Sequence, residues 1–101
     1  MGTLIFNGEI TLDQAFSQNK DIIYNKVFSE IEKHYLDASI NTVHIINISI
    51  NENDYTINLP RTKFVSALNN ARKFYEKIED YEKCQVCVDI TNKLIEKTST
   101  N

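Results

Sequence analysis

Between Phe64 and Ile95 the apolar side chains return every three or four residues, twice over, with one interruption at Ile78-Glu79-Asp80-Tyr81. Phe64, Leu68, Ala71, Tyr75 and Ile78 form the first stripe, widened by Ala67 and Phe74. Cys84, Cys87, Val88, Thr91, Leu94 and Ile95 form the second. Such spacing is one face of a 3.6-residue helix. Asp80 suits the N-cap of the second helix, since its carboxylate accepts a free backbone N–H at a helix start. Helices with so short a joint must lie side by side and antiparallel. The spacing predicts a helical hairpin over about residues 62–78 and 81–97, with a frayed tail over 97–101.

What this hairpin packs on is announced by a change of period. Thr42 to Ile50 is β-branched and alternates toward its end, and Tyr55-Thr56-Ile57-Asn58-Leu59 alternates throughout, so both read as strands. Pro60 ends the second, because it cannot donate to a ladder. Asn51-Glu52-Asn53-Asp54 is a four-residue loop that sets Ile50 opposite Tyr55, Ile48 opposite Ile57 and Ile46 opposite Leu59. A two-residue loop at Asn53-Asp54 shifts the pairing but keeps the same residues on one face. On this alternation His44 shares the face of Ile46 and Ile48. A lone hairpin over 42–59 is marginal in water, so it needs helix cover or a third strand such as Thr3 to Phe6.

Cover comes from Lys20 to Leu36, where Ile23, Val27, Ile31 and Tyr35 recur at helical spacing with Tyr24 and Phe28 alongside. Ser17 or Asn19 caps this helix, and Lys33 and His34 sit in its last turn, where cations are favoured. Upstream, Asn7-Gly8 is a turn signal, and Thr11 with Gln14 resembles a capping box before a short helix over Leu12 to Ser17. The expectation is one α+β domain over residues 1–101. In it an antiparallel hairpin (42–59) packs on a helix (20–36) and the C-terminal helical hairpin.

Chemistry is sparse. Cys84-Gln85-Val86-Cys87 is a lone C-x-x-C, and zinc needs two further ligands, for which only His34 and His44 exist, on other elements. A redox pair needs a strand before its helix, and here a helix precedes it. Both cysteines read as packing. No nucleophile is placed beside either histidine, and the aspartates sit where caps and turns account for them. No cofactor, metal or catalytic group is expected. A net charge of −3 opposes phosphate-dominated nucleic-acid binding, although Arg61, Lys63, Arg72, Lys73 and Lys77 lie on or beside the third helix, diluted by Glu76, Glu79, Asp80 and Glu82. No stretch has the length of a membrane span or signal, and the cysteine usage suits a reducing compartment, so a cytoplasmic location is expected.

Asp80-Tyr81-Glu82-Lys83-Cys84, followed by Cys87, Asp89 and Leu94, resembles the second half of the UVR motif, the helical hairpin of UvrB- and UvrC-type proteins. Gln85 and Val88 depart from its small and basic positions. The resemblance implies an aromatic that plugs the hairpin's open end and an outer stripe that docks on a like hairpin, hence self-association or a protein partner. Candidate interface residues are Tyr75, Ile78, Tyr81, Glu82, Val88 and Leu94. The first reading is a non-enzymatic interaction module, a homodimer or an adaptor or inhibitor of a larger protein, of a kind that suits phage or mobile-element accessory proteins. The second is a small-molecule or nucleotide sensor with a pocket around His44 and Tyr55. An enzyme of unknown class comes third.

Overall fold

In the computed structural model, which describes residues 3–99 and the last three of these as backbone only, eight elements follow one another. They are β1 (Thr3–Phe6), α1 (Leu12–Gln18), α2 (Lys20–His34), β2 (Thr42–Ile50), β3 (Asn53–Pro60), a 3₁₀ turn (Arg61–Lys63), α3 (Phe64–Lys77) and α4 (Tyr81–Ser99). The fold is α+β, and the expected elements recur to within two residues at each end. Lys97 to Ser99, expected to fray, continue α4, while the last two residues of that tail lie outside the described ones.

The sheet is mixed rather than a plain antiparallel hairpin. Its order is β1-β2-β3, with Thr3–Phe6 running parallel to Asn47–Ile50. Parallel neighbours need a crossover, and α1 with α2 supplies one. Thr11 and Gln14 close the expected capping box at the start of α1. Asn19 separates the two helices, but its side chain donates back to the Ala15 carbonyl (2.9 Å) and gives α2 no cap bond.

Register departs from expectation at both ends of the hairpin. The connection is a two-residue loop, Asn51-Glu52, with both residues at positive φ (50° and 69°), which sets Ile50 opposite Asn53 and Ile48 opposite Tyr55. Positive φ at both central positions is the primed turn that matches strand twist. Its second residue is glutamate where glycine is usual, which hid the turn in the sequence. Asn51 also ties this turn to the loop after β1: Gly8 N–H donates to Asn51 Oδ1 (2.9 Å) and Asn51 Nδ2 to the Gly8 carbonyl (2.7 Å). At the other end a bulge between His44 and Ile46 adds a residue to β2, so Val43, Ile45 and Ile46 are all buried and His44 is exposed. The bulge reverses the parity that placed His44 with Ile46 and Ile48.

Helices cover one face of the sheet. α2 packs on β2, α3 on α2, and α4 chiefly on α3, a stepwise arrangement with extents of 49 × 32 × 19 Å. Ile31, Ile45, Ile46, Ile48, Phe64, Leu68 and Tyr75 are the large side chains at its centre. Because the helices step away from the sheet, β3 gets little cover, and Tyr55 remains 41% exposed although it shares the face of Ile48.

Arg61 fastens these layers. Its guanidinium donates to the carbonyls of Ile40 (Nε, 2.7 Å), Tyr35 (Nη1, 3.2 Å), His34 (Nη2, 3.3 Å) and Asp37 (Nη2), and it lies 5.1 Å from the Phe64 ring centroid. Among the described residues the Tyr35 and Ile40 carbonyls, at the end of α2 and in the loop to β2, take no other donor, while those of His34 and Asp37 also accept the N–H groups of Asp37 and Ile40 (both 3.1 Å); a cation is favoured at such a helix end. Arg61→Leu takes the donor from the Tyr35 and Ile40 carbonyls and the second donor from those of His34 and Asp37, and is expected to lower unfolding free energy by about 2–3 kcal/mol in urea titrations; Arg61→Lys, which keeps charge but loses the planar fork, should recover less than half. Glu52→Gly should raise stability by roughly 0.5–1 kcal/mol by relieving the left-handed glutamate.

Candidate functional site

The joint between α3 and α4 is built from backbone. After Lys77 the chain closes with Asp80 N–H donating to the Tyr75 carbonyl (2.9 Å) and Glu79 N–H to the Glu76 carbonyl (3.1 Å), with Glu79 at φ 62°. This pair of bonds around a left-handed residue is the Schellman ending of a helix, with glutamate in the position glycine usually takes. Asp80 then caps α4, accepting from Lys83 N–H (3.3 Å). The turn sends α4 back along α3, where Cys84 Sγ donates to the Arg72 carbonyl (3.5 Å) and Cys87 is buried.

Six residues were candidates for the outer face, and the fold divides them. Tyr75 and Leu94 face inward, which removes them from any surface in the folded chain. Tyr75 is fully buried; its ring meets Phe28 edge-on (5.7 Å between centroids), its O–H donates to Asn25 Oδ1 (2.7 Å), and Lys83 lies over it (Nζ 5.2 Å from the centroid). A phenol of that size finds its partner at the edge of the core, which is why its helical position, the fourth of the inward stripe, outweighed its amphipathic character. Ile78, Tyr81, Glu82 and Val88 are exposed. Tyr81, given the role of plugging the hairpin's open end, is 65% exposed, so the buried aromatic near the joint is Tyr75 instead.

Tyr81, Val88 (38% exposed) and Ile95 (50%) stand seven residues apart and therefore on one line along α4, with Ile78 (55%) beside its start. Ile95 was absent from the candidates, although the seven-residue interval in the sequence marks it. Gln85 and Asn92, both exposed, flank the line on its polar side.

His44 and Tyr55, the candidates for a ligand pocket, do not converge. The bulge turns His44 onto the open face, where its Nδ1 lies 3.2 Å from Asn58 Oδ1, while Tyr55 is on the helix-facing side. A shallow hollow beside Tyr55 is lined by Thr3, Asn47, Asp54 and Thr56 and does not include His44. Among the described residues no group of three or more His, Cys, Asp or Glu side chains is placed to hold a metal ion, and no helix is long and apolar enough to cross a membrane.

The basic residues around α3 do not make one strip. Arg61 is engaged on carbonyls, and Arg72 pairs with Glu76 on the side toward α4. Lys73 and Lys77 instead meet Lys20 of α2 around a cleft of about 160 Å³, together with Asn70, Tyr24 and Phe74. Lys20 belongs to a different helix, so no local spacing could have placed it there.

Comparison with protein-family models, with curated proteins and with solved structures gave no match.

Both thiols are shifted toward their protonated forms. Burial, helped by the adjacent Cys84, pushes the Cys87 thiol up to about 11; burial and then Glu76 raise Cys84. Burial also raises the Tyr75 phenol above its ordinary value. Folding thus retains a proton on Cys87 that the unfolded chain releases near 9, so its contribution to stability is complete below pH 9 and is lost as pH rises toward 11. Urea midpoints should fall across that window, with Tyr75 adding to the fall at its upper end, and Cys87→Ala, referred to its own neutral-pH midpoint, should show a shallower slope.

Proposed function

We propose that this protein is a non-enzymatic interaction module whose working surface is the outer line of α4, and that the partner seated on it is a second copy of the chain. The observation that carries this reading is the exposure of Tyr81, Val88 and Ile95 at seven-residue intervals. Scattered exposed apolar residues are ordinary on a monomer, but three on one helical line spanning about 21 Å form a seam.

The seam is self-complementary. An antiparallel pair of α4 helices about a two-fold axis at Val88 sets Val88 against its copy and Tyr81 against Ile95 of the second chain, an isologous contact that closes on itself. Beside the seam the same axis sets Gln85 near Asn92 of the second copy. These uncharged amides spare a chain of net charge −3 the like-charge repulsion that carboxylates would bring to that place. Tyr81 and Ile78 add the amphipathic and apolar area that interface cores favour. The resemblance of Asp80 to Leu94 to the UVR hairpin supports the same kind of contact, since such hairpins pair with like hairpins.

Sedimentation or light scattering at tens of micromolar should give a dimer. Val88→Glu places two carboxylates face to face at the axis and should give a monomer with an unchanged far-ultraviolet spectrum, the dissociation constant rising about tenfold or more. A wild-type chain that stays monomeric, or a dimer indifferent to Val88→Glu, overturns the reading.

A further inference from the structure

On the side of α3 away from α4, three ammonium groups meet without partners. Asn70, Lys73, Phe74 and Lys77 stand at i, i+3, i+4 and i+7 on α3, and Lys20 and Tyr24 at i and i+4 on α2; together they line one cleft of about 160 Å³. Among the described residues, none of the three lysines has an ion pair, and no carboxylate lines the cleft. Among the described residues Lys63 likewise has no ion pair and Lys93 lies only over the Tyr35 ring, but neither borders the cleft, and the remaining cations are mated. Lys26 and Lys33 share Glu30, Arg72 holds Glu76, Lys83 reaches Asp80, and Arg61 is held by carbonyls. In an acidic protein, three like charges around one hollow repel one another until an anion enters.

The floor is aromatic. Tyr24 and Phe74 stack at 5.1 Å between centroids with 29° between planes, and both border the cleft. A second cleft of about 260 Å³, lined by Phe16, Ser17, Lys20, Ile23 and Tyr24, adjoins the first through their shared Lys20 and Tyr24. It offers apolar surface with the hydroxyls of Ser17 and Tyr24. Together the two hollows reach the low end of the volumes that small-molecule sites occupy.

We infer that this double cleft binds a small phosphorylated molecule that carries an aromatic ring, of the size and chemistry of a nucleoside diphosphate. The phosphates sit among Lys20, Lys73 and Lys77, where Asn70 adds an amide donor, and the ring lies against Tyr24 toward Phe16 and Ile23. Neither half suffices alone, because the ammonium groups are open to water and the apolar hollow is shallow. The site is separate from the α4 seam and does not depend on self-association.

The test is a titration of the ¹⁵N-labelled full chain with ADP, with pyrophosphate as charge without ring and adenosine as ring without charge. ADP is expected to give saturable shifts over residues 20–24 and 70–77, and each half-molecule to bind about tenfold or more weakly. Lys73→Gln with Lys77→Gln keeps two good helix formers at exposed positions and should weaken ADP by at least about tenfold. Val88→Glu should bind ADP as the wild type does. Absence of saturable shifts at millimolar ADP, equal affinity for pyrophosphate, or an unchanged affinity in the double lysine variant overturns the inference.

Discussion

The guanidinium of Arg61 ties the end of the sheet to two helices, beside the apolar packing of α2 on β2. It follows directly on β3, opens the turn into α3, and collects carbonyls from the end of α2 and from the loop that enters β2. A helix C-terminus and an irregular loop both leave acceptors that water must otherwise satisfy. One planar cation with five donors reaches four carbonyls, of which those of Tyr35 and Ile40 take no other donor among the described residues, and also covers Phe64. Asp37 in the same loop is held from its other side, where Ser39 donates to its carboxylate through both N–H and hydroxyl and keeps its pKa low. The orientation of α3, and with it the placement of both surfaces discussed above, starts from that anchorage.

α3 serves as a partition. Its Arg72 side meets α4, where Cys84 is small enough to approach the Arg72 backbone, and beyond it the apolar seam begins. Its Phe74 side meets α2 through the stacked Tyr24 and carries the lysine cleft. One helix with two unlike flanks separates an apolar surface from a cationic one by its own diameter, about 10 Å. That separation would let the proposed protein contact and the inferred anion contact coexist on so small a domain without competing.

Elements were legible in the sequence wherever periodicity ran for a dozen residues or more. The stripes of α2, α3 and α4, and the capping box at Thr11, are local patterns with local causes. What escaped were departures of a single residue. The bulge at Ile45 reverses the faces of everything before it in β2, and nothing in Val43-His44-Ile45-Ile46 distinguishes a bulge from a continuous buried strand. Asn51-Glu52 forms a turn that glycine would have announced. The parallel direction of β1 depends on a crossover whose ends are far apart in the chain. Of the candidate site, helical spacing set Ile78 and Val88 in the inward stripes, and the exposure of both shows only in the fold. Tyr75 and Leu94 were misplaced because the width of the buried face is set by what packs on it. The lysine cleft was invisible because it is assembled from two helices.

Asn51 gives the sheet a hierarchy in time. The turn between β2 and β3 involves neighbours in sequence, whereas the bonds from Asn51 to Gly8 join residues 43 apart. Local closures are entropically cheaper than distant ones, so the hairpin is expected to form as a unit before the N-terminal strand arrives. When β1 does arrive, it finds in the amide of Asn51 a docking post already fixed by the turn. The same order is expected to run backwards in the native state: β1, four residues long and at the margin of the sheet, should be the strand whose amides exchange first with solvent.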